Sequence, residues 1–459
     1  MEPNRPSRRT FLKDSAALGV AATAAPFLGT LADIGAAAAA TATDYKALVC
    51  VFMFGGNDHA NTLVPYDTAN YNLYNSLRST IALDRADLAA TALTPATPLA
   101  GGVQYALAPA MARLLPVFNA GKMAAILNVG TLIQPTTKAQ YLARSVPLPP
   151  KLFSHNDQQS FWQASNAEGA RSGWGGRMAD LFLVQNSSPA LTAINAAGNA
   201  VFLTGRTASQ YAVSTNGPVA LNNNSTTLFG SAAGAAALQA LVGANQPNLL
   251  GNELARTSSR ALSTYNQVST ALAAAPTIAT AFPTGNTLAD QLRIVARLIS
   301  VSQELGAKRQ IFFVSLGGFD LHSGLVATHP VLLGRVADAM RAFYDATVEL
   351  GVANRVTAFT ASDFGRTLLS NSSGSDHGWG SMHFVVGGAV NGRNFYGRPP
   401  VVADNGPDDV GQGRLLPAIS VDQYAATMAS WFGVSAADMA SVLPFIGNYP
   451  AASRNLGFI

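Results

Sequence analysis

The stretch VCVFMFGGNDHANTLVPYD, Val49 to Asp67, starts as an unbroken apolar run and stops at two glycines, an asparagine, an aspartate and a histidine. An apolar run without alternation suits a strand covered on both faces, as in a parallel sheet. The polar end then marks where that strand leaves the sheet. Further short apolar runs read the same way: Leu48–Phe54, Met123–Val129, Ala190–Ile194, Gln310–Leu316, Val356–Thr360 and Phe384–Gly387. Between them lie helical spacings. Ala110–Ala120 is kinked or split by Pro116, and Leu288–Leu305 is amphipathic. Pro330–Leu350 has its proline in the first turn, and Val421–Phe432 is a late helix. Strands alternating with helices predict a mostly parallel α/β sheet with helices on both faces.

The N-terminus stands apart. Ser7-Arg8-Arg9-Thr10-Phe11-Leu12-Lys13 has the form of a twin-arginine export motif. A weakly apolar stretch and an alanine run with small-x-small sites follow it. Residues 1–42 therefore read as a cleaved signal peptide handed to the twin-arginine translocase, leaving residues 43–459 outside the cytoplasm, periplasmic or extracellular, with no stable membrane insertion. A spanning helix needs about 20 strongly apolar residues, and no other stretch meets that. The formal net charge of +4 is small for 459 residues. No basic cluster is interleaved with aromatics, so nucleic acid is not expected as a partner. The single cysteine, Cys50, excludes an internal disulfide and a thiolate cluster, and its strand context favours burial. From Gly205 to about Pro283 the composition shifts to Ala, Asn, Ser and Thr. Residues 205–283 read either as an inserted helical cap that shapes a pocket or as a solvent-facing elaboration.

Five of the six histidines lie in polar or glycine-rich stretches beside an aspartate or close to a strand end; His329, at a helix start, reads as structural. QIFFVSLGGFDLHSG repeats the opening pattern and presents Asp320 and His322. VTAFTASDFGRT ends in Asp363. NSSGSDHGWGSMHFVVGG supplies Asp376, His377 and His383. Open α/β sheets bind ligands at the carboxyl ends of their strands. Carboxylates gathered there repel one another unless a cation or a proton intervenes. With Asp58, this set predicts a shared site for one or two divalent metal ions: zinc or manganese where histidine takes part, magnesium or calcium where oxygen dominates. His59 is either a neighbour of that site or a ligand. In LPPKLFSHNDQQSFWQ, Ser154 precedes a helix, so it is an N-cap or a nucleophile, with His155 and Asn156 able to assist. Thr62 is a weaker candidate nucleophile.

Taken together, FMFGGNDHANTLVPYD, FSHNDQQSFWQ, SGWGGRMADL, LGGFDLHSG, TASDFGRTLLSN, GSDHGWGSMHFVVGGAV and LLPAISVDQYAATMASWFGV resemble the exported bacterial family called domain of unknown function 1501, over nearly the whole chain after the signal. That family is similar to a branch of the alkaline phosphatase and sulfatase superfamily. The resemblance implies an alkaline-phosphatase-like fold and a metal-dependent hydrolase of phosphate or sulfate esters, small or polymeric. It implies Asp58 as the metal-binding Asp of the first strand and Ser154 as the nucleophile. Asp320 with His322 would serve one metal, Asp376 with His377 the other, and His383 would be the final His. Asp363 competes with Asp376 for one role, or both bind. The chain departs from the pattern at Phe364, where a His is usual, and it lacks the Cys/Ser-x-Pro-x-Arg sulfatase signature. These departures favour the alternative, an exported binding or assembly protein that keeps the fold without catalysis.

Overall fold

The computed structural model describes residues 44–220 and 227–459. The export motif and signal reading fall outside them. The centre of the fold is a ten-stranded sheet. Its main strands are β1 (Lys46–Met53), β2 (Met123–Gly130), β3 (Ala193–Asn195), β4 (Arg309–Leu316), β5 (Val356–Ser362) and β6 (Ser381–Gly387), in the spatial order β2-β6-β5-β1-β4-β3. β1 pairs parallel with both β4 and β5, in register Val49↔Phe312 and Val49↔Ala358. β6 is antiparallel to both its neighbours. The sheet is mostly parallel, as the apolar runs predict.

β1 shows why its sequence has no polar alternation. Val49, Val51 and Met53 enter one core, and Leu48, Cys50 and Phe52 enter the other. The first core is closed by α4 (Thr287–Ser300) and α5 (Leu325–Glu349). The second is closed by α1 (His155–Ala164), α2 (Trp174–Asp180) and α6 (Val421–Phe432). Each fully buried side chain of this size contributes about 1.5–3 kcal/mol. Burial also pushes the Cys50 thiol well up, so it is not a nucleophile.

α5 begins at Leu325, five residues before the expected start, so Pro330 sits in its second turn rather than its first. Pro116 does split its segment, into a 3-10 turn, Pro109–Leu114, and a short helix, Leu115–Asn119. In the 205–283 segment, Tyr211–Ser214 extends the sheet beside β3, and the helix α3 (Leu249–Ala273) lies between that extension and α4 in sequence. Among the described residues, no hydrogen bond to the histidine–aspartate cluster described below comes from this segment.

The parallel strands β1, β4 and β5 all end at one edge of the sheet. β6 runs the other way, so the residues before it arrive at that same edge. Asp320, Asp363, Asp376 and His377 therefore meet there from separate parts of the chain. Gly55 is required at this edge. Its φ is +115°, and a Cβ on it would lie 2.4 Å from the Asp320 amide nitrogen.

Candidate metal centre

α1 is preceded by a turn in which Lys151 (φ 42°) and Phe153 (φ 73°) adopt left-handed backbone conformations. Such conformations cost roughly 1–3 kcal/mol each and persist where the surroundings enforce them. Here the turn directs the Phe153 carbonyl to His377, whose Nδ1 donates to it at 2.7 Å. It also places His155 at the start of α1. His155 Nδ1 lies 2.7 Å from Asp363 Oδ2. The same oxygen accepts from Gln159 Nε2 at 2.7 Å, and Asp363 Oδ1 accepts from the Gly55 amide at 3.2 Å. His322 Nδ1 lies 2.8 Å from Asp376 Oδ1, which also accepts from Asn371.

The three Nδ1 atoms are thus each held by a carbonyl or a carboxylate. In a neutral ring the other nitrogen then carries a lone pair, and all three of those nitrogens face Asp320. His322 Nε2 is 3.1 Å and His377 Nε2 3.2 Å from Asp320 Oδ1, and His155 Nε2 is 3.4 Å from Oδ2. His322 and His377 bring their Nε2 atoms to 2.9 Å of each other. Candidate ligand atoms of His155, Asp320 and His377 all lie within 4.8 Å of one another. His155 Nε2 is buried without a hydrogen-bond partner. Lone pairs and a carboxylate gathered at such distances need a cation or additional protons between them. A histidine whose other nitrogen donates to a carboxylate or carbonyl is the usual arrangement behind a bound metal. The residues present therefore fit a divalent cation, and a nitrogen-rich donor set suits zinc, manganese or iron better than magnesium or calcium.

The local charges cut both ways. Arg366 already offsets the Asp320 charge and a raised His155 favours its protonated form, whereas a lowered His377 keeps a lone pair for a cation. Burial opposes ionisation of Asp320, but the Arg366 guanidinium, 2.6 Å away, together with His155 and His322, holds its carboxyl below the usual range. His155 is raised, chiefly by its bond to Asp363. His377 is lowered by burial, which its bond to Phe153 only partly offsets. Asp376 is also lowered: burial opposes its ionisation, but its bonds from Asn371 and His322 prevail.

A family model described as "Protein of unknown function (DUF1501)" matches residues 45–439. The chain belongs to the DUF1501 family. No curated protein matches it. Among solved structures it is similar to the sulfatase PsFucS1 from a Pseudoalteromonas species, at 8% identity and TM-score 0.33 over 93% of this chain and 72% of that one. It is also similar to the lipoteichoic acid synthase LtaP from Listeria monocytogenes, at 7% identity and TM-score 0.32 over 91% and 77%. A further match is Ps i-CgsB in complex with k-i-k-neocarrahexaose, at 9% identity and TM-score 0.35 over 88% and 77%.

In this DUF1501 chain the residues singled out from sequence fall into four groups. His155, Asp320, His322 and His377 come together. Asp363 and Asp376 stand behind histidines of the cluster rather than facing into it. Ser154 occupies the N-cap position of α1, yet its hydroxyl makes no capping bond and donates instead to Asp157 Oδ2 at 2.9 Å. Among the described residues no histidine bonds to that hydroxyl, so His155 takes its place in the cluster rather than beside Ser154. Asp58 and His383 lie elsewhere. Asp58 is buried against Arg78, at 2.6 Å, and also accepts from Ser375 Oγ at 2.6 Å and the Asn61 amide at 3.0 Å. Burial opposes its ionisation, but Arg78 above all, with His329, His59 and Ser375, drives its carboxyl far below the usual range. His383 is two residues inside β6, packed against Trp162 and Tyr424, and burial pushes it down to about 3. His59 is buried beside Gly365 with its Nδ1 unpartnered. His329 is buried and bonds Asn57 Oδ1 at 2.9 Å, and Thr62 bonds Asn57 and the Asp58 carbonyl.

Sequence reasoning missed Arg366, Gln159 and the Phe153 carbonyl. Arg366 follows Asp363-Phe364-Gly365 and is fully buried, bridging Asp320, the Gly55 carbonyl and the Ser375 carbonyl. A lone arginine so close to a strand-end aspartate was the available signal. Phe364 packs its ring on His155 and His377 at 4.9 and 4.8 Å. It walls the cluster without supplying a ligand. Among the described residues no helix is long and apolar enough to cross a membrane.

Proposed function

We propose that this DUF1501 protein is a metal-dependent hydrolase of phosphate or sulfate esters. The observation that carries the reading is the convergence of three imidazole Nε2 atoms on Asp320, each imidazole anchored through its Nδ1. His155, Asp320 and His377, with His322 beside them, would hold one divalent cation. Bound there, the cation would supply positive charge against an anionic ester. Ser154 is the candidate nucleophile. Its hydroxyl proton already points at Asp157, which accepts that proton as Oγ attacks phosphorus or sulfur. The ester oxygen bond breaks, the alcohol leaves protonated from solvent, and water hydrolyses the seryl ester to regenerate Ser154. Phe364 and the strained Phe153 turn hold the histidine rings in place. We propose, too, that residues 1–42 direct export through the twin-arginine pathway, so that the reaction takes place outside the cytoplasm. Loss of export in Arg8→Lys/Arg9→Lys cells, read by fractionation, tests that.

Metal analysis of the chain purified without chelator tests the core of the reading. Stoichiometric divalent metal in the parent, lost in Asp320→Asn, is expected; a metal-free parent sinks it. A screen with nitrophenyl phosphate, a phosphodiester and nitrophenyl sulfate then compares parent with Ser154→Ala, which is expected to be inactive. Turnover unchanged in Ser154→Ala refutes the nucleophile. One observation favours a second reading, a metal-holding binding protein without catalysis: the Ser154 hydroxyl is engaged by a carboxylate and not by a histidine. Metal present with no turnover on any of the three esters selects that reading.

A further inference from the structure

Residues 141–152, which run into the turn that delivers Ser154 and His155, line an open cavity of about 530 Å³. Pockets of roughly 300–1,000 Å³ suit small ligands. Its lining is apolar at Tyr141, Leu142, Leu148, Pro149 and Leu152 and cationic at Arg144 and Lys151. Arg144 is exposed, and among the described residues its guanidinium has no hydrogen-bond or ion-pair partner. Lys151 is 72% exposed and reaches a single acid, Asp157, at 3.7 Å. That is the carboxylate that accepts from Ser154. The cavity and the candidate nucleophile therefore share one contact.

Arg414, outside the cavity lining, ties the turn to the cluster. The Arg414 guanidinium lies over the Phe153 ring, 4.8 Å from its centroid, and its Nε donates to the His377 carbonyl at 2.8 Å. The cavity wall is joined to its surroundings through the helix Lys138–Ala143. Arg144 ends the helix Lys138–Ala143 in a left-handed conformation with its amide bonded back to that helix. The Tyr141 ring packs on Trp379, whose Nε1 is tied to the Thr131 carbonyl at 2.7 Å.

A guanidinium left without a counter-charge on the wall of a pocket, beside an ammonium that reaches a single acid, favours an anion. The apolar side chains that share the lining suit the body that carries it. We infer that this cavity is a second anion subsite, taking a sulfate, phosphate or carboxylate group borne by the alcohol part of the ester while the scissile group lies at the histidine–aspartate cluster. The inference rests on the hydrolase reading for the role of the second group, but binding itself needs neither metal nor turnover.

The test uses the full chain carrying Asp320→Asn, which removes catalysis; because that change also frees Arg366 at the cluster, the comparison with and without Arg144→Glu isolates the cavity's share of binding. Calorimetric titration with a sulfated disaccharide, with tripolyphosphate and with the unsulfated disaccharide measures binding. The charged probes are expected to bind, and adding Arg144→Glu is expected to weaken them at least tenfold. Circular dichroism confirms that the exposed substitution leaves the fold intact. Tighter binding of the sulfated sugar assigns a saccharide source for the anion, and tighter binding of tripolyphosphate a phosphate source. Equal binding of the unsulfated disaccharide, no binding of either charged probe, or binding untouched by Arg144→Glu overturns the subsite. None of these results depends on the metal content of the parent, so failure of the subsite and failure of the hydrolase reading are distinguishable.

Discussion

Asp58→Asn separates a structural carboxylate from a metal ligand. The Asp58–Arg78 pair is almost wholly enclosed, at 1% and 0% side-chain exposure. Asp58 Oδ2 takes Arg78 and Ser375, each at 2.6 Å, and Oδ1 takes the Asn61 amide at 3.0 Å. An asparagine keeps an oxygen for Asn61. Its NH2 group then meets the Arg78 guanidinium, donor against donor, and the guanidinium charge is left without its counter-ion. Breaking a buried ion pair from one side costs about 3–5 kcal/mol. Arg78 retains Asn61 Oδ1 and the carbonyls of Thr367 and Leu368 at 2.9–3.1 Å, which places the expected loss near the lower bound, about 3 kcal/mol. Urea unfolding followed by circular dichroism reads the stability, and mass-spectrometric metal analysis of the same samples reads the site. The expected outcome is a destabilised protein with its metal stoichiometry intact. Unchanged unfolding with the metal gone would refute the reasoning and restore Asp58 as a ligand.

Acid sensitivity follows from the buried histidines. Burial holds His59 and His329 down at about 4 and His383 at about 3, against 6.5 for an ordinary histidine. Between those values the unfolded chain binds protons that the folded chain refuses. Stability is therefore complete above about pH 6.5 and falls as pH drops toward 4, by up to about 1.4 kcal/mol per histidine per pH unit. Asp58, whose pKa is depressed, keeps its contribution through that window. A chain whose urea midpoint is flat from pH 7 to 4.5 would contradict the neutral burial of these rings. Separately, Asp363→Asn removes the charged acceptor behind His155, and metal affinity, measured by competition with a chelating dye, is expected to weaken about 10–100-fold; unchanged affinity would leave Asp363 without its anchoring role.

Two stretches show how far the sequence reads and where it stops. GGND at Gly55 and GGFD at Gly317 follow the same kind of strand and end in the same residue type. Their aspartates nonetheless serve opposite ends. Asp58 lies under the surface against an arginine 20 positions along the chain, whereas Asp320 stays 43% exposed with three imidazoles around it. Periodicity reveals that a strand is covered on both faces, because burial on both sides excludes polar residues from it. The strand runs were legible for that reason, within a few residues at their ends. Which carboxylate faces an ion and which stands behind a histidine depends on side-chain torsions and on partners such as Gln159, which leave no spacing signal. His383 sat near a strand start in the sequence; two residues of β6 proved enough to bury it. Pro330 looked like a helix start because a first turn needs no amide there, and the actual start five residues earlier has no comparable marker: its N-cap, Gly324, makes no side-chain capping bond.

The central position of β1 bears on how the chain is made. Ala47 pairs with Val356, which is synthesised 309 residues later. At ribosomal rates of roughly 5–20 residues per second, the first strand waits about 15–60 s for the neighbour that covers one of its edges. Until then a largely apolar eight-residue strand keeps one edge open in the nascent chain, and both edges are open until β4 is made. Such a protein gains from a holding chaperone during synthesis and can complete its sheet only after nearly all of it has left the ribosome. A pulse-chase experiment in cells depleted of general chaperones should therefore find aggregation concentrated in chains stalled short of residue 356.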